Sequence, residues 1–257
     1  RPRVTSRKRA LVVGAGLGGI ATAGRLARQG YAVTVVEKNA SPGGRCDQFV
    51  RDGHRFDTGA TLFLMPEVFA ETYAALGERM EDHLDLRRID PTYRVRFDDG
   101  FQLQLTSDMH AMEAQLEARE PGSFMALMRY LAEGYNNYHK SIRYFVGRNF
   151  YNVFEYFSPR NFPLLFELKA LLKHYGSVSR YFKDPHLRAA FTFQDMYLGL
   201  SPYDALATYS LLQYTEMVSG VYFPMGGLYR TVETLVAIAE AQGVTFRYKS
   251  PAARILV

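Results

Sequence analysis

The strongest constraint on the fold lies near the start of the chain, where glycines separate one apolar run from a second, Ala- and Leu-rich run. The first run, "RALVV", predicts a buried strand, and "LGGIATAGRLARQG" predicts a helix that ends at Gly30. The run "YAVTVV", which is followed by Glu37, predicts a second strand. Strand, helix and strand in this order predict a βαβ unit, and therefore an α/β fold with a parallel sheet.

The glycines have the spacing G-x-G-x-x-G at Gly14, Gly16 and Gly19, which is typical of a dinucleotide-binding loop. Gly14 permits the tight turn, Gly16 lets the backbone approach a pyrophosphate, and Gly19 lets the helix pack close to the sheet. The N-terminus of the helix adds free N–H groups and partial positive charge. Glu37 ends the second strand, where a carboxylate accepts hydrogen bonds from a ribose diol. It would repel a 2′-phosphate, which disfavours NADP.

The next motif, Gly43-Gly44-Arg45, favours FAD over NAD. A typical nicotinamide dehydrogenase would continue into another helix and strand, whereas these glycines let the chain turn back over the nucleotide. Arg45 is suited to pair with a pyrophosphate oxygen. The whole pattern, GxGxxGxxxAxxLxxxGxxVxVxE followed by GGR, resembles that of the flavin amine oxidase and carotenoid desaturase superfamily.

Two longer segments resemble phytoene desaturases of the bacterial and fungal type. These segments are "DGHRFDTGATLFLMPEVF" and "AAFTFQDMYLGLSPYDALATYSLLQYTEMVSGVYFPMGGLYRTVETL", and the similarity covers nearly the whole chain after residue 8. Ala60 stands where the family pattern has Pro, and Leu206 stands where Pro is usual. The resemblance therefore leaves the particular carotenoid and the number of desaturations open.

The resemblance implies a glutathione-reductase-like (Rossmann) FAD-binding domain with an inserted, mainly helical substrate and membrane domain. It implies a peripheral membrane flavoenzyme that takes an apolar polyene, a C30–C40 carotenoid precursor such as phytoene, from the bilayer. Desaturation would remove a hydride and a proton from adjacent carbons, with the flavin as hydride acceptor and a quinone or oxygen as the final electron acceptor.

The resemblance and the local patterns together predict three segments. Residues 8–100 form the first part of the FAD-binding domain, 101–215 the substrate and membrane-associated domain, and 216–257 the return to the FAD-binding domain. Within them, "YRVRFDDGFQLQLTSD" predicts a hairpin with Asp99-Gly100 as its turn. A long helical region is expected from about Met109 to about Phe182, broken by "SPRNFP", and a turn, a helix and two strands are expected near the end. Because "AARILV" stops in the middle of a predicted strand, we expect the chain to be an N-terminal fragment.

The candidate FAD-binding residues lie in or beside these motifs. They are Gly14, Ala15, Gly16, Gly18, Gly19, Glu37, Lys38, Gly44, Arg45, Asp57 and Gly59. The sequence assigns no catalytic acid or base: Asp57 is expected near the flavin ring, whereas structural roles are favoured for Asp195 and Glu216. The histidines show no metal-ligand spacing, so no metal is predicted. The lone Cys46 permits no intrachain disulfide and is interpreted as a small residue filling the FAD loop.

Charge and aromatic residues are concentrated in the middle of the chain. From Lys140 to Arg188 there are nine Lys or Arg against three Asp or Glu, in a protein of net charge +5. Phe and Tyr are dense between Phe124 and Phe166, where they would line a substrate tunnel or form a core between helices. Basic residues mixed with aromatics suit an anionic membrane surface or a nucleic acid, or a solvated helix face. Because no nucleic-acid motif accompanies them, no nucleic-acid partner is predicted.

The segment "NFPLLFELKALLKHYG" has leucines near helical spacing, with Lys169 and Lys173 beside them. This pattern predicts a helix lying on a membrane, or an ordinary amphipathic helix. No apolar run is long enough to span a bilayer. We therefore expect peripheral membrane association, at the cytoplasmic face or in an organelle according to the source.

Three other functions share the nucleotide motif. A carotenoid cis–trans isomerase would use reduced FAD and leave the product mass unchanged. An amine oxidase would oxidise small amines and release peroxide. A prenyl-binding escort protein would carry lipid without a flavin, a reading that the intact Glu37 and Gly43-Gly44-Arg45 disfavour.

Overall fold

The computed structural model describes residues 7–159 and 161–256, except for the side chain of residue 156. The chain divides into two compact units, one built from residues up to 88 and from 222 onward, the other from residues 89–221. Each unit has its own hydrophobic core. Residues 89–100 and 216–221, which the sequence grouped with the FAD-binding domain, lie in the second unit. The functions assigned to the three predicted segments stay predictions.

The first unit contains a three-stranded parallel sheet and two long helices. The strands are β1 (Arg9–Val13), β2 (Ala32–Val36) and β9 (Thr245–Arg247), in the order β1-β2-β9. Helix α1 (Leu17–Arg28) connects β1 to β2, and α10 (Arg230–Ala241) precedes β9. The βαβ unit predicted from the sequence is therefore confirmed.

The register of the sheet explains which strand residues are buried. Val12 lies opposite Val35, and Val35 lies opposite Phe246, so these residues share one face. Val35 is fully buried against the core that includes residues of α1 and α10. Leu11 and Val13 point to the opposite face and are 65% and 56% exposed, as the two-residue period of a strand requires.

Outside the parallel sheet, the first unit includes a hairpin, most of a two-stranded sheet, one further α-helix and a 3-10 helix at Met80–Asp82. Strands β3 (Gln48–Arg51) and β4 (His54–Asp57) form a hairpin. Its turn is Asp52-Gly53, where both residues have positive φ, at 51° and 78°, as a two-residue hairpin turn demands. The sequence predicted only short extended pieces here. Strand β5 (Leu86–Ile89) pairs with β8 (Val221–Pro224), and α2 (Pro66–Ala75) lies between the two sheets in sequence.

The second unit begins with a hairpin and continues with helices. Strands β6 (Tyr93–Arg96) and β7 (Gln102–Leu105) pair in antiparallel register around the predicted Asp99-Gly100 turn. The helices of this unit are α3 (Met109–Arg119), α4 (Ser123–Ser141), α5 (Val153–Tyr156), α6 (Phe162–Glu167), α7 (His174–Val178), α8 (Pro185–Ala190) and α9 (Ser210–Tyr214). A 3-10 helix covers Phe193–Leu198, and π-helical turns cover Ile142–Val146 and Thr215–Ser219.

Two expectations about regular structure are wrong. The helical region from about Met109 to about Phe182 is interrupted well before "SPRNFP". Pro121 disfavours helical geometry at the preceding residue, and Gly122 follows with φ +86°. Near the end of the chain only one strand, β9, follows α10, and residues 251–256 form no strand.

Helix α1 supplies a test of close packing in the first unit. A Cβ built on Gly19 would lie 2.0 Å from the carbonyl oxygen of Gly14, whereas a Cβ on Gly18 would meet no atom within 4 Å. We expect Gly19→Ala to lower the free energy of unfolding by about 1–3 kcal/mol, because backbone must move to relieve the overlap. The matched Gly18→Ala should be neutral or stabilising by up to about 1 kcal/mol, since Ala favours the helix. Thermal and urea unfolding of the FAD-free protein measure both, and equal unfolding curves would contradict the packing argument.

Candidate functional site

The turn between β1 and α1 is formed by backbone atoms. Gly14 has φ +96°, and its N–H donates to the carbonyl oxygen of Val36 at 2.8 Å. The backbone of Gly14 lies close to Gly19, as the sequence predicted. A Cβ on Gly14 or Gly16 would instead meet no atom within 4 Å. Within the described residues no side chain caps the start of α1. The N–H groups of its first turn are therefore available to an anion.

Glu37 is buried at the end of β2 and holds this turn in place. One carboxylate oxygen accepts the N–H of Ala15 at 2.7 Å, and the other accepts the N–H of Asn39 at 2.9 Å. Burial raises the pKa of Glu37, but the hydrogen bonds from Asn39 and Ala15, together with the charge of Lys38, outweigh it and leave the pKa lowered. The side chain is therefore a carboxylate at neutral pH. Its predicted contact with a ribose stays a prediction.

The loop after β2 returns to the glycine turn, as the Gly43-Gly44-Arg45 motif suggested. The N–H of Gly43 donates to the carbonyl oxygen of Ala15 at 2.7 Å. A Cβ on Gly44 would lie 3.2 Å from the Cα of Gly16, and a Cβ on Gly59 would lie 1.7 Å from the carbonyl oxygen of Arg45. Glycine is therefore required at Gly59 because two backbone segments touch there.

Two cavities border the glycine turn. The larger, of about 670 Å³, is lined by Leu17, Gly44, Arg45, Cys46, Asp47, Thr58, Gly59 and Ala60. The smaller, of about 220 Å³, is lined by Val13, Gly14, Val36, Glu37, Lys38, Pro251 and Ala252. The larger volume lies within the range usual for cofactor sites. An open glycine turn, an uncapped helix start and a basic side chain on the larger cavity fit the phosphates of a dinucleotide.

Asp57 has a structural partner that the sequence did not predict. Its carboxylate accepts the N–H of Leu228 at 2.7 Å and that of Tyr229 at 3.4 Å, just before α10. The hydroxyl of Tyr229 in turn donates to the carbonyl oxygen of Pro42 at 2.9 Å. These partners are 171 or more residues apart in the chain, so no local pattern could have revealed them. The predicted contact of Asp57 with the cofactor stays a prediction.

Cys46 lines the larger cavity as a neutral thiol. Burial raises the pKa of Cys46, and the nearby carboxylates of Asp57 and Asp47 raise it further. Its Sγ lies 3.9 Å from the carbonyl oxygen of Leu228. This environment supports the interpretation of Cys46 as a small filling residue.

The second unit contains two buried polar clusters. In the first, His174 donates from Nδ1 to Asp195 at 2.7 Å, and its Nε2 is hydrogen-bonded to the hydroxyl of Tyr130 at 2.6 Å. His174, Asp195 and Tyr130 are each at most 1% exposed. Sequence reasoning named Asp195 but not its contact with His174, which lies 21 residues away, nor the contact of His174 with Tyr130, 44 residues away.

The second cluster surrounds Glu216. Its carboxylate accepts from Tyr197 at 2.6 Å, Gln194 at 2.8 Å and Tyr93 at 3.0 Å. Burial raises the pKa of Glu216, and the three hydrogen bonds offset only part of that effect. A carboxylate with three protein donors is consistent with the structural role favoured from the sequence.

The aromatic residues between Phe124 and Phe166 do not form one group. Tyr130 and Tyr138 are buried, whereas several others are exposed at or above 55%. The exposed ones are Tyr151, Phe154, Phe157, Phe162 and Phe166. We call these five residues the exposed aromatic segment.

The leucine-rich segment does not form the long amphipathic helix predicted from its spacing. Helix α6 ends at Glu167, and Lys169 has φ +52°. Lys169 forms an ion pair with Glu133 and lies over the ring of Tyr181. Lys173 donates to the carbonyl oxygen of Asp204 at 2.9 Å. Contacts within the second unit therefore engage both lysines.

Two further findings concern the described part of the chain. There, no three His, Cys, Asp or Glu side chains are grouped closely enough to hold a metal ion. None of the helices described is at once sufficiently long and sufficiently apolar to cross a bilayer.

The fold and the glycine turn define a dinucleotide-binding α/β protein. Residues 17–257 match the family model described as flavin containing amine oxidoreductase, and the chain belongs to this family. The FAD prediction is confirmed at the level of this family. The solved structure of an oxidoreductase from Methanosarcina mazei superimposes with a TM-score of 0.64 at 18% identity, covering 97% of this chain and 53% of the other.

Curated relatives are more similar in sequence. The chain is 48% identical over 252 residues to a zeta-carotene-forming phytoene desaturase from Myxococcus xanthus, covering 98% of this chain and 49% of the relative. It is 43% identical over 250 residues to a phytoene desaturase from Phycomyces blakesleeanus, covering 96% of this chain and 43% of the relative. The resemblance stated from the sequence is thereby confirmed. The chain spans about half the length of these relatives.

The lowered pKa of Glu37 predicts how the stability of the fold depends on pH. The ionised carboxylate stabilises the folded state above its ordinary pKa of 4.5, and this contribution is lost as pH falls through the lowered value. Glu37→Gln, which cannot ionise, should be less stable than the parent at pH 7, and the difference should shrink towards pH 3. Urea unfolding across this range measures it. The exposed Glu71→Gln on α2 is the control, and a difference for Glu37→Gln that does not change with pH would contradict the assignment.

Proposed function

We propose that the protein is an FAD-dependent carotenoid desaturase that acts on a C30–C40 polyene precursor such as phytoene. The observation that carries the proposal is the arrangement of the open glycine turn, buried Glu37 and the Arg45 loop around two cavities. This arrangement occurs in a chain that is 48% identical to a phytoene desaturase over 252 residues. Bound FAD would supply the hydride acceptor that removal of hydrogen from a hydrocarbon requires.

Each part of the site has a role in this proposal. The backbone of Gly14 and Gly16 and the start of α1 bind the pyrophosphate. Glu37, held as a carboxylate, accepts from the ribose diol, while Lys38 borders the same small cavity. Arg45 is exposed at the larger cavity, where it neutralises phosphate charge. Because Gly59 has no side chain, its backbone can contact the backbone of Arg45 beside that cavity.

The reaction would break two C–H bonds on adjacent carbons and form one C=C bond. A hydride leaves one carbon and a proton leaves the next, and a quinone or oxygen takes the two electrons in the end. No catalytic base is assigned; Asp195 and Glu216 are buried and hydrogen-bonded to neighbouring side chains of the second unit. The protein's contribution is to bind, orient and exclude water from the hydrocarbon.

The second unit is proposed to be the inserted substrate and membrane domain. The exposed aromatic segment is rich in rings that sit well at a membrane interface. Arg143 and Arg148 precede it and carry positive charge for anionic headgroups. These features support peripheral membrane association, with the organelle or cytoplasmic face set by the source.

The function is tested with the full-length protein that contains this chain. It is loaded with FAD and mixed anaerobically with liposomes containing phytoene, while the flavin absorbance and the product mass are followed. We expect bleaching of the flavin band together with a coloured product that has lost two hydrogens for each double bond formed. An isomerase would give a product of unchanged mass, and an amine oxidase would release peroxide from small amines under air. Either result would overturn the proposal.

The membrane contact is tested at the exposed aromatic segment. We expect the double variant Phe154→Ser/Phe166→Ser to reduce cosedimentation with phosphatidylglycerol vesicles at least several-fold, because both rings are largely exposed, at 82% and 58%. Val68→Ser, at 43% exposure on α2, is the control for loss of an exposed apolar side chain. Equal sedimentation of the parent and the double variant would show that the segment does not contact the bilayer.

A further inference from the structure

The 3-10 helix Phe193–Leu198 buries polar side chains and exposes apolar ones, the reverse of the usual arrangement. Gln194 and Asp195 are 1% and 0% exposed, whereas Phe193 and Met196 are 41% and 55% exposed. In a soluble protein the apolar residues of such a turn normally face the core. This helix therefore presents a hydrophobic surface outward while its polar side chains are buried.

Buried hydrogen bonds fix the helix in this orientation. Asp195 accepts from His174 at 2.7 Å, and Gln194 donates to Glu216 at 2.8 Å. Rotating the helix to bury Phe193 and Met196 would break these bonds and leave charged or polar groups without partners, which is strongly unfavourable. The apolar side chains are thus held at the surface.

A cavity of about 270 Å³ opens beside this apolar surface. It is lined by Tyr175, Ala189, Thr192, Phe193, Met196, Leu200, Pro202 and Tyr203. No side chain that lines it is charged at neutral pH. Leu198, Leu200 and Tyr203 extend the exposed apolar surface around it, at 45%, 38% and 63% exposure.

The polar side chains of the cavity wall are one threonine and two tyrosines. The hydroxyl of Thr192 donates to the carbonyl oxygen of Arg188 at 2.8 Å. The rings of Tyr175 and Tyr203 pack against each other, with their centroids 4.6 Å apart. A charged ligand would gain little here, because its charge would lose water without meeting an opposite charge in the wall.

We propose that this cavity and the surrounding apolar residues bind a segment of the polyene hydrocarbon, in a subsite we call the 193–203 site. The inference rests on the proposed function, which supplies a substrate without hydrogen-bonding groups. The uncharged wall and the engaged hydroxyl of Thr192 suit such a molecule, which binds through apolar area and stacking on the tyrosine rings. A flat bilayer surface would leave the cavity unfilled, whereas a chain of linked isoprene units can enter it.

The 193–203 site is tested with 1,6-diphenylhexatriene, a fluorescent hydrocarbon without polar groups, in buffer without detergent or lipid. Met196→Lys places a charge beside the cavity, and Met125→Lys introduces the same change on α4 at a similarly exposed position, 58% against 55%. We expect Met196→Lys to weaken binding at least ten-fold and Met125→Lys to leave it within two-fold. Equal affinities for the parent and Met196→Lys would overturn the proposal.

A second pair of variants tests the shape of the site. Ala189→Phe narrows the cavity, while Ala114→Phe adds the same ring to the exposed face of α3. We expect weaker binding for Ala189→Phe alone, with unchanged thermal unfolding for both.

If Met196→Lys lowers cosedimentation with phosphatidylcholine vesicles but not hydrocarbon binding, the surface contacts a bilayer and the proposal fails.

The measurements distinguish failure of the 193–203 site from failure of the proposed function. FAD content is measured by absorbance in every variant, and the product mass is measured with the full-length parent. If hydrocarbon binding depends on Met196 but the full-length protein does not desaturate phytoene, the proposed 193–203 site stands and the proposed desaturase function is wrong. If the Met196→Lys variant desaturates phytoene with an unchanged KM, the proposed desaturase function stands and the proposed 193–203 site is wrong.

Discussion

The buried carboxylate of Glu37 joins the parts of the first unit that form the candidate site. It connects the end of β2 to the glycine turn through Ala15, whose carbonyl oxygen in turn accepts from Gly43. The glycine turn, the end of β2 and the loop at Gly43 are thereby held together by backbone groups and one charge. Because the charge is fixed by N–H donors before any ligand binds, the site is preorganised, and little reorganisation is needed when a nucleotide replaces solvent.

How far the sequence predicted the structure depends on the distance between interacting residues. The βαβ unit and the Asp99-Gly100 hairpin rest on local patterns, and both are present. The contacts of Asp57 with Leu228 and of His174 with Tyr130 join segments that no periodicity links. Such partners become visible only when the chain is folded, which explains why the sequence named the carboxylates without their hydrogen-bond partners.

The leucine-rich segment shows why an amphipathic pattern is weak evidence for a membrane helix. Its spacing is helical, but Lys169 turns into the left-handed region and pairs with Glu133. Helix α6 ends at Glu167, so the leucines beyond it do not continue its apolar face. The exposed apolar side chains are instead the rings of the exposed aromatic segment. They lie on short helices and turns, where side-chain direction does not follow a single period.

The reversed polarity of residues 193–198 has a thermodynamic consequence for the second unit. Exposed Phe193 and Met196 forgo the stabilisation that burial would give, while the buried bonds of Asp195 and Gln194 prevent the helix from turning inward. A hydrocarbon that covers these side chains restores that stabilisation without disturbing the polar cluster. Since a ligand that binds only the folded state stabilises it by mass action, substrate binding and the stability of this unit should be linked. Recognition of a molecule without polar groups can therefore come from a surface on which Phe193 and Met196 are exposed while Gln194 and Asp195 are buried.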